Sequence, residues 1–173
     1  MPEGDRVEPL PIAPEMTRYA SLALPGHRYL PGVNERPAGG SPFVRPSEVP
    51  WERLAETELF RHGVDLYNNA FFWEAHEAWE TLWQECPAGP LREGLQGLIQ
   101  LAAALLKEHL AVPGGARKLS RTAREHLERA RVGGAPLPLD LAGLIARTEA
   151  HFARLDDPEA PEAPRPAITL QRR

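Results

Sequence analysis

An all-α fold is what the sequence predicts: a compact antiparallel bundle of about five helices behind an irregular, Pro-rich N-terminal arm. Three observations carry this. Apolar residues recur at helical spacing through residues 51–155. Proline, which fixes φ and lacks a backbone donor, is thinned out there, with ten of the 19 prolines in residues 1–50, four beyond Asp156 and five between. No segment reads as a strand. A chain of 173 residues and 19.2 kDa leaves room for one domain with appendages. Three regions follow: an arm over 1–50, the helical bundle over 51–155, and a flexible tail over 156–173 that is rich in Pro, Ala and charge.

The arm carries apolar anchors among its turns (Tyr19, Leu22, Leu24, Tyr29, Leu30, Phe43, Val44 and Trp51), and these favour docking on the core over a free leader. The first helix is expected from about Trp51 to Asn68, striped by Ala55, Leu59, Gly63 and Leu66 and stopped by Asn68-Asn69. The second runs from about Ala70 to Glu85, with Phe72, His76, Trp79 and Trp83 in line; Pro87 and Pro90 end it. The third, about Leu91 to Leu110, is apolar on two faces: Leu95, Leu98, Ile99, Ala102, Leu105 and Leu106 on one, and the small stripe Gly94, Gly97, Leu101 and Ala104 on the other. Two buried faces place it at the bundle centre. Pro113-Gly-Gly115 opens the fourth, striped by Ala116, Leu119, Ala123, Leu127 and Ala130. Asp140 is the expected N-cap of the fifth, which carries Leu141, Leu144, Ile145, Thr148, Phe152 and Leu155. Gly63, Ala75, Trp79 and Pro87 fit the spacing of a tetratricopeptide helix pair, but a second repeat fails at His109, so no repeat array is supported.

Composition narrows the function. A net charge of -4 with a pI near 5.9 disfavours a dedicated nucleic-acid binder. A single cysteine, Cys86, excludes an intramolecular disulfide and a cysteine-based zinc finger. No apolar run reaches membrane-spanning length and no signal peptide is visible, so a soluble cytoplasmic protein with no membrane role is the expectation.

The chemistry concentrates on the second helix. His76 sits within its apolar stripe and Glu80 lies one turn on, so imidazole and carboxylate are neighbours that can share a proton or a ligand. Glu77 is expected to point towards water. A divalent metal needs more than two ligands, and His62 on the first helix is the candidate third beside His76 and Glu80. Two Glu-x-x-His elements, the mark of di-iron bundles, are absent. On the third helix Gln96 and Gln100 are the only polar side chains between Gly94 and Leu106. A buried amide without a partner costs about 1–3 kcal/mol, which favours a polar pocket shared with His76 and Glu80 over two solvated rim residues.

Elsewhere the signals are weaker. The fourth helix sets Arg117, Lys118, Arg121, Arg124, Arg129 and Arg131 against Glu125 and Glu128, while the second holds Glu74, Glu77, Glu80 and Glu85 with no Lys or Arg. Complementarity or solvation explains that pattern more simply than an anion site. Neither a P-loop nor a dinucleotide motif is present. Cys86, at a helix C-terminus where the macrodipole disfavours a thiolate, is expected to be inert.

His76-Glu77, Trp79-Glu80 and Trp83, followed by Gln96-Gly97-Leu98-Ile99-Gln100 and an Ala-rich helix, resemble a bacterial and archaeal family known as domain of unknown function 309, over roughly residues 55–130. The resemblance implies a compact helical fold and no established activity. The leading expectation is therefore a small pocket in which His76 and Glu80 are catalytic and Trp79, Trp83, Gln96 and Gln100 bind substrate. Its chemistry would be proton transfer or metal-assisted hydrolysis of a small molecule. The alternative is a non-catalytic helical interaction scaffold, with the tryptophans building a homodimer face.

Overall fold

The computed structural model describes residues 17–38, 42–44 and 47–171. A 3-10 turn over Trp51–Glu56 leads into α1 (Glu58–Asn68), α2 (Phe72–Trp83), α3 (Pro90–His109), α4 (Pro113–Val132) and α5 (Leu141–Phe152); a short 3-10 turn, Ala153–Leu155, follows. There is no strand among the described residues. The helices pack in chain order, with α3 between α2 and α4, and α5 lies on α4.

Local chemistry sets the boundaries. The expected first helix breaks at Thr57, whose backbone is extended (φ −72°, ψ 138°) and whose hydroxyl accepts from the Phe60 N–H, so Trp51–Glu56 stays a separate 3-10 turn. The second helix starts at Phe72 instead of Ala70, because Ala70 adopts left-handed geometry (φ 64°). There the Phe71 N–H reaches Leu66 O at 2.8 Å and the Ala70 N–H reaches Tyr67 O at 3.0 Å, closing α1 with a Schellman motif. The same motif ends α3, where Ala111 is left-handed (φ 55°) and the Val112 N–H bonds Lys107 O at 2.8 Å. Asp140 caps α5 by accepting from the Gly143 N–H at 2.9 Å.

Two close crossings hold the helices at their angles. Gly63 of α1 lies on the Trp79 indole, and a β-carbon added there would stand 2.3 Å from Nε1. Trp79 is fully buried, and its Nε1–H donates to Phe60 O at 3.3 Å. On the other side of the bundle, Gly97 of α3 admits Leu127 of α4, with the Leu127 backbone nitrogen 3.0 Å from where a β-carbon would sit. Leu95, Leu98, Leu101, Ala102 and Leu105 between these crossings are at most 1% exposed. By about 25 cal/mol per Å² of apolar area, burying each leucine is worth about 1.5–3 kcal/mol.

Both flanks lie against this core. The fully buried Asp65 carboxylate accepts from Arg18 Nε, the Tyr19 N–H and the Ala20 N–H, each at 2.9 Å. Further along, Glu74 accepts the Tyr29 N–H at 2.8 Å, the Arg28 guanidinium donates to Asn69 O at 2.7 Å, and Leu30 is buried. Leu22 and Val44, read as anchors, are exposed; residues 1–16, 39–41, 45–46 and 172–173 lie outside the described residues. At the other end, where composition suggests a flexible tail, residues 156–171 run as a strap over the bundle. Tyr67 Oη donates to Pro166 O at 2.6 Å, and the Asn68 amide pairs with both Ile168 backbone groups at 2.7 and 2.9 Å. Ile168 is 2% exposed and the Gln171 N–H bonds Pro138 O at 2.8 Å, so one buried isoleucine and a series of hydrogen bonds hold the strap without the large apolar stretch that the tail lacks.

These contacts give opposite signs for two substitutions. Gly63→Ala, favourable by helix propensity, is expected to destabilise the protein by about 1–3 kcal/mol, because the indole it meets is itself enclosed. Ala111→Gly, unfavourable by propensity, is expected to stabilise it by about 0.5–1 kcal/mol, because a left-handed alanine costs about 1–2 kcal/mol and the added unfolded-chain entropy cancels only part of that. Urea unfolding of both variants measures each sign.

Candidate metal centre

α2 has two unlike faces. Phe72, Ala75, Ala78, Trp79 and Leu82 face the core, while Trp73, His76, Glu77, Glu80 and Trp83 form a half-buried outer stripe. The crossing at Gly63 turns Trp79 inward, and a helix advancing about 100° per residue then sets His76 about 60° and Glu80 about 100° round from it, at the edge of the core face.

On that stripe His76 Nδ1 stands 3.6 Å from Glu77 Oε1 and 3.8 Å from Glu80 Oε2. One ligand atom from each of the three residues falls within 4.8 Å of the others. The Nδ1 atom is shielded from solvent and makes no hydrogen bond. Both separations exceed hydrogen-bond length. They approach the spacing of about 3.4 Å that a tetrahedral ion imposes on ligand atoms about 2.1 Å from it. With the imidazole 29% exposed and Glu80 39% exposed, the group opens to solvent on one side.

Several expectations change here. Glu77, expected to face water, folds back beside the imidazole with only 15% of its side chain exposed, and it supplies the third ligand atom. His62 is not in the group: it packs edge-on against Phe43 of the arm, 5.9 Å between ring centroids, on the flank of α1 beside the face that Gly63 gives to Trp79. Burial holds its pKa below the usual histidine value, with Asp65 opposing. Trp79, expected to bind substrate, is enclosed between Phe60, Tyr67 and Gly63 and is a core side chain. Trp83 is half-buried, and its ring is covered by the Arg92 guanidinium at 4.1 Å, which also donates to Trp83 O at 2.8 Å. No hydrogen bond joins Gln96 or Gln100 to His76 or Glu80; both amides are half-buried, and Gln100 Oε1 is shielded without a partner.

The remaining candidates resolve simply. On α4, Arg117 pairs with Asp156, Arg124 with Glu149, Arg129 with Glu93 and Arg131 with Glu128, so four of its six cations are neutralised within the molecule. Cys86 is buried, and that burial pushes its thiol up, away from the reactive thiolate. No described helix is long and apolar enough to cross a membrane.

The roles of Glu77 and Arg92 are not legible in the sequence. Position i+1 on a helix points 100° away from position i, and only the side-chain torsions of Glu77 bring its carboxylate back. Arg92 reaches Trp83 across the α2–α3 turn, a contact no local periodicity encodes.

No curated protein and no solved structure matches the chain. Residues 60–119, from α1 into α4 and including the whole of the His76 group, match the family model of DUF309, a domain of unknown function, the same family that the motifs around His76 and Gln96 resemble.

Proposed function

We propose that the outer face of α2 binds one divalent cation through His76 Nδ1 and the Glu77 and Glu80 carboxylates, and that the protein uses this centre for hydrolysis or proton transfer on a small substrate. The single observation behind the reading is an imidazole nitrogen without a hydrogen bond, flanked by two carboxylate oxygens at 3.6 and 3.8 Å. Three protein ligands leave a fourth position for water or substrate, the pattern of catalytic rather than structural zinc sites. A cation there would acidify a bound water, and the second, non-ligating oxygen of Glu80, on the open side of the group, is the atom best placed to exchange protons with solvent. Glu77, the less exposed of the two acids, is the fixed ligand.

The stability of ligand variants bears on this reading. Because His76 Nδ1 makes no hydrogen bond, His76→Ala is expected to leave urea-unfolding stability within about 1 kcal/mol of the parent, in the range of substitutions that break no structural feature. A loss of several kcal/mol would mark the imidazole as structural instead.

The direct test is calorimetric titration of the metal-free protein with zinc and with manganese. One ion per chain is expected for at least one metal, weakened at least tenfold in His76→Ala and in Glu77→Gln. Absence of binding, or binding unchanged in both variants, would remove the proposed centre.

A further inference from the structure

We propose that His151 is a protonation-dependent clasp: as an imidazolium it pins the middle of the C-terminal strap to α3 and α5, and on losing a proton it lets residues 157–165 lift from the bundle. The geometry points to this through the two neighbours of one ring. His151 Nε2 stands 2.8 Å from Glu108 Oε2 on α3, and Nδ1 stands 3.0 Å from Ala163 O on the strap. A carboxylate and a carbonyl only accept. A neutral imidazole carries one N–H, so it can serve one of them and must turn a lone pair on the other; only the doubly protonated ring donates to both. The side chain is 11% exposed, which leaves little room for water to take over the abandoned contact.

When the proton leaves, the strap is the partner that gives way. The remaining N–H gains more from the Glu108 carboxylate than from the Ala163 carbonyl, because a hydrogen bond to a charged acceptor is the stronger one. Nδ1 is then bare and faces Ala163 O, lone pair against lone pair. The segment can move because its firm anchors lie at its ends; between them, apart from His151, Glu162 makes only an exposed ion pair with Arg154 at 3.7 Å, which contributes little. Arg117 holds Leu155 O and the Asp156 carboxylate, and Tyr67 and Asn68 hold Pro166 and Ile168. The Tyr67 phenol, pushed up by burial, does not titrate near neutrality. Between the anchors, Pro164 and Arg165 wall a cavity of about 270 Å³ over Tyr67, Phe72 and Leu105, which lifting the strap would open.

The charged groups around the ring set the pH at which this happens. Glu108 faces it from α3 and Arg165 from the strap, while Arg124 of α4 is engaged by Glu149, on the opposite side of α5. Burial opposes the charge, but the hydrogen bond to Glu108, the one to Ala163 O and the charge of Glu108 together outweigh it. His151 is therefore held above the ordinary histidine value of 6.5, with Arg165 a smaller opposing influence. A raised folded-state value means that the clasp's contribution is complete below the unfolded value and is lost as pH climbs through the folded one.

Cleavage by a glutamyl endopeptidase after Glu159 and Glu162 of the full chain reads the strap directly, with rates normalised at each pH to a free peptide of residues 156–166. The parent protein is expected to be cut about tenfold faster at pH 8.5 than at pH 6.0, since one lost hydrogen bond to a charged group is worth at least a factor of that order. Glu108→Gln is the discriminating variant. Its amide N–H can donate to the bare Nε2 while Nδ1–H stays on Ala163 O, so cleavage is expected to be slow at both pH values. Equal normalised rates for the parent at the two pH values, or faster cutting of Glu108→Gln than of the parent at pH 6.0, would overturn the clasp.

Discussion

The contact of the Trp79 indole with the bare backbone at Gly63 sets the rest of the molecule. A β-carbon at Gly63 would press on the indole and force α1 and α2 apart, changing the orientation of α2 about its own axis. That orientation decides which residues of α2 are core and which are outer stripe. With Trp79 inward, Ala75, Ala78 and Leu82 follow it into the interior; His76 and Glu80 fall about 60° and 100° round the helix, at the edge of the core face, and Glu77 lies beyond them. The half-buried position of the candidate metal centre thus follows from a packing contact on the adjoining face of the same helix. The indole also satisfies its own polar atom through Phe60 O, so the crossing buries a large ring without stranding a donor.

The ionisable groups divide by whether hydrogen bonding accounts for them. Asp65 is fully buried yet receives three donors from the arm, and it reads as a structural tie between arm and core. Glu93, shared by His126 and Arg129, is likewise explained, and the hydrogen bonds from those two side chains hold its carboxyl below the usual range. Glu74 is different: one oxygen accepts from Tyr29, the other is shielded and unpartnered, and burial pushes its carboxyl up. At His76 two carboxylates crowd one imidazole without a hydrogen bond to it. Most surface charge on α4 is internally paired, so its basic look in the sequence does not carry over to an open cationic face.

The helices and their order were legible because each has the 3.6-residue stripe and most have a chemical punctuation mark: Asn68-Asn69 after the first, Pro87 and Pro90 after the second, Pro113 and Asp140 at the starts of the fourth and fifth. The double-faced third helix, with Gly94 and Gly97 on its small side, announced its central place. Less legible were the breaks at Thr57 and Ala70, since nothing about an alanine advertises a left-handed backbone; the Schellman hydrogen bonds impose it. The strap was the largest departure. Its composition is that of a loose tail, and its attachment depends on partners some hundred residues away, Tyr67 and Asn68.

By itself the sequence determined the fold class, the helix order and the neighbourhood of His76 and Glu80, because periodicity and i,i+4 spacing are local properties that backbone geometry converts directly into shared faces. Only tertiary structure decided that Glu77 joins them, that His62 and Trp79 do not, and that His151 meets Glu108 and Ala163. Those outcomes depend on the torsions of single side chains and on which helix face a neighbour occupies, and neither is encoded in the spacing of residues along one helix.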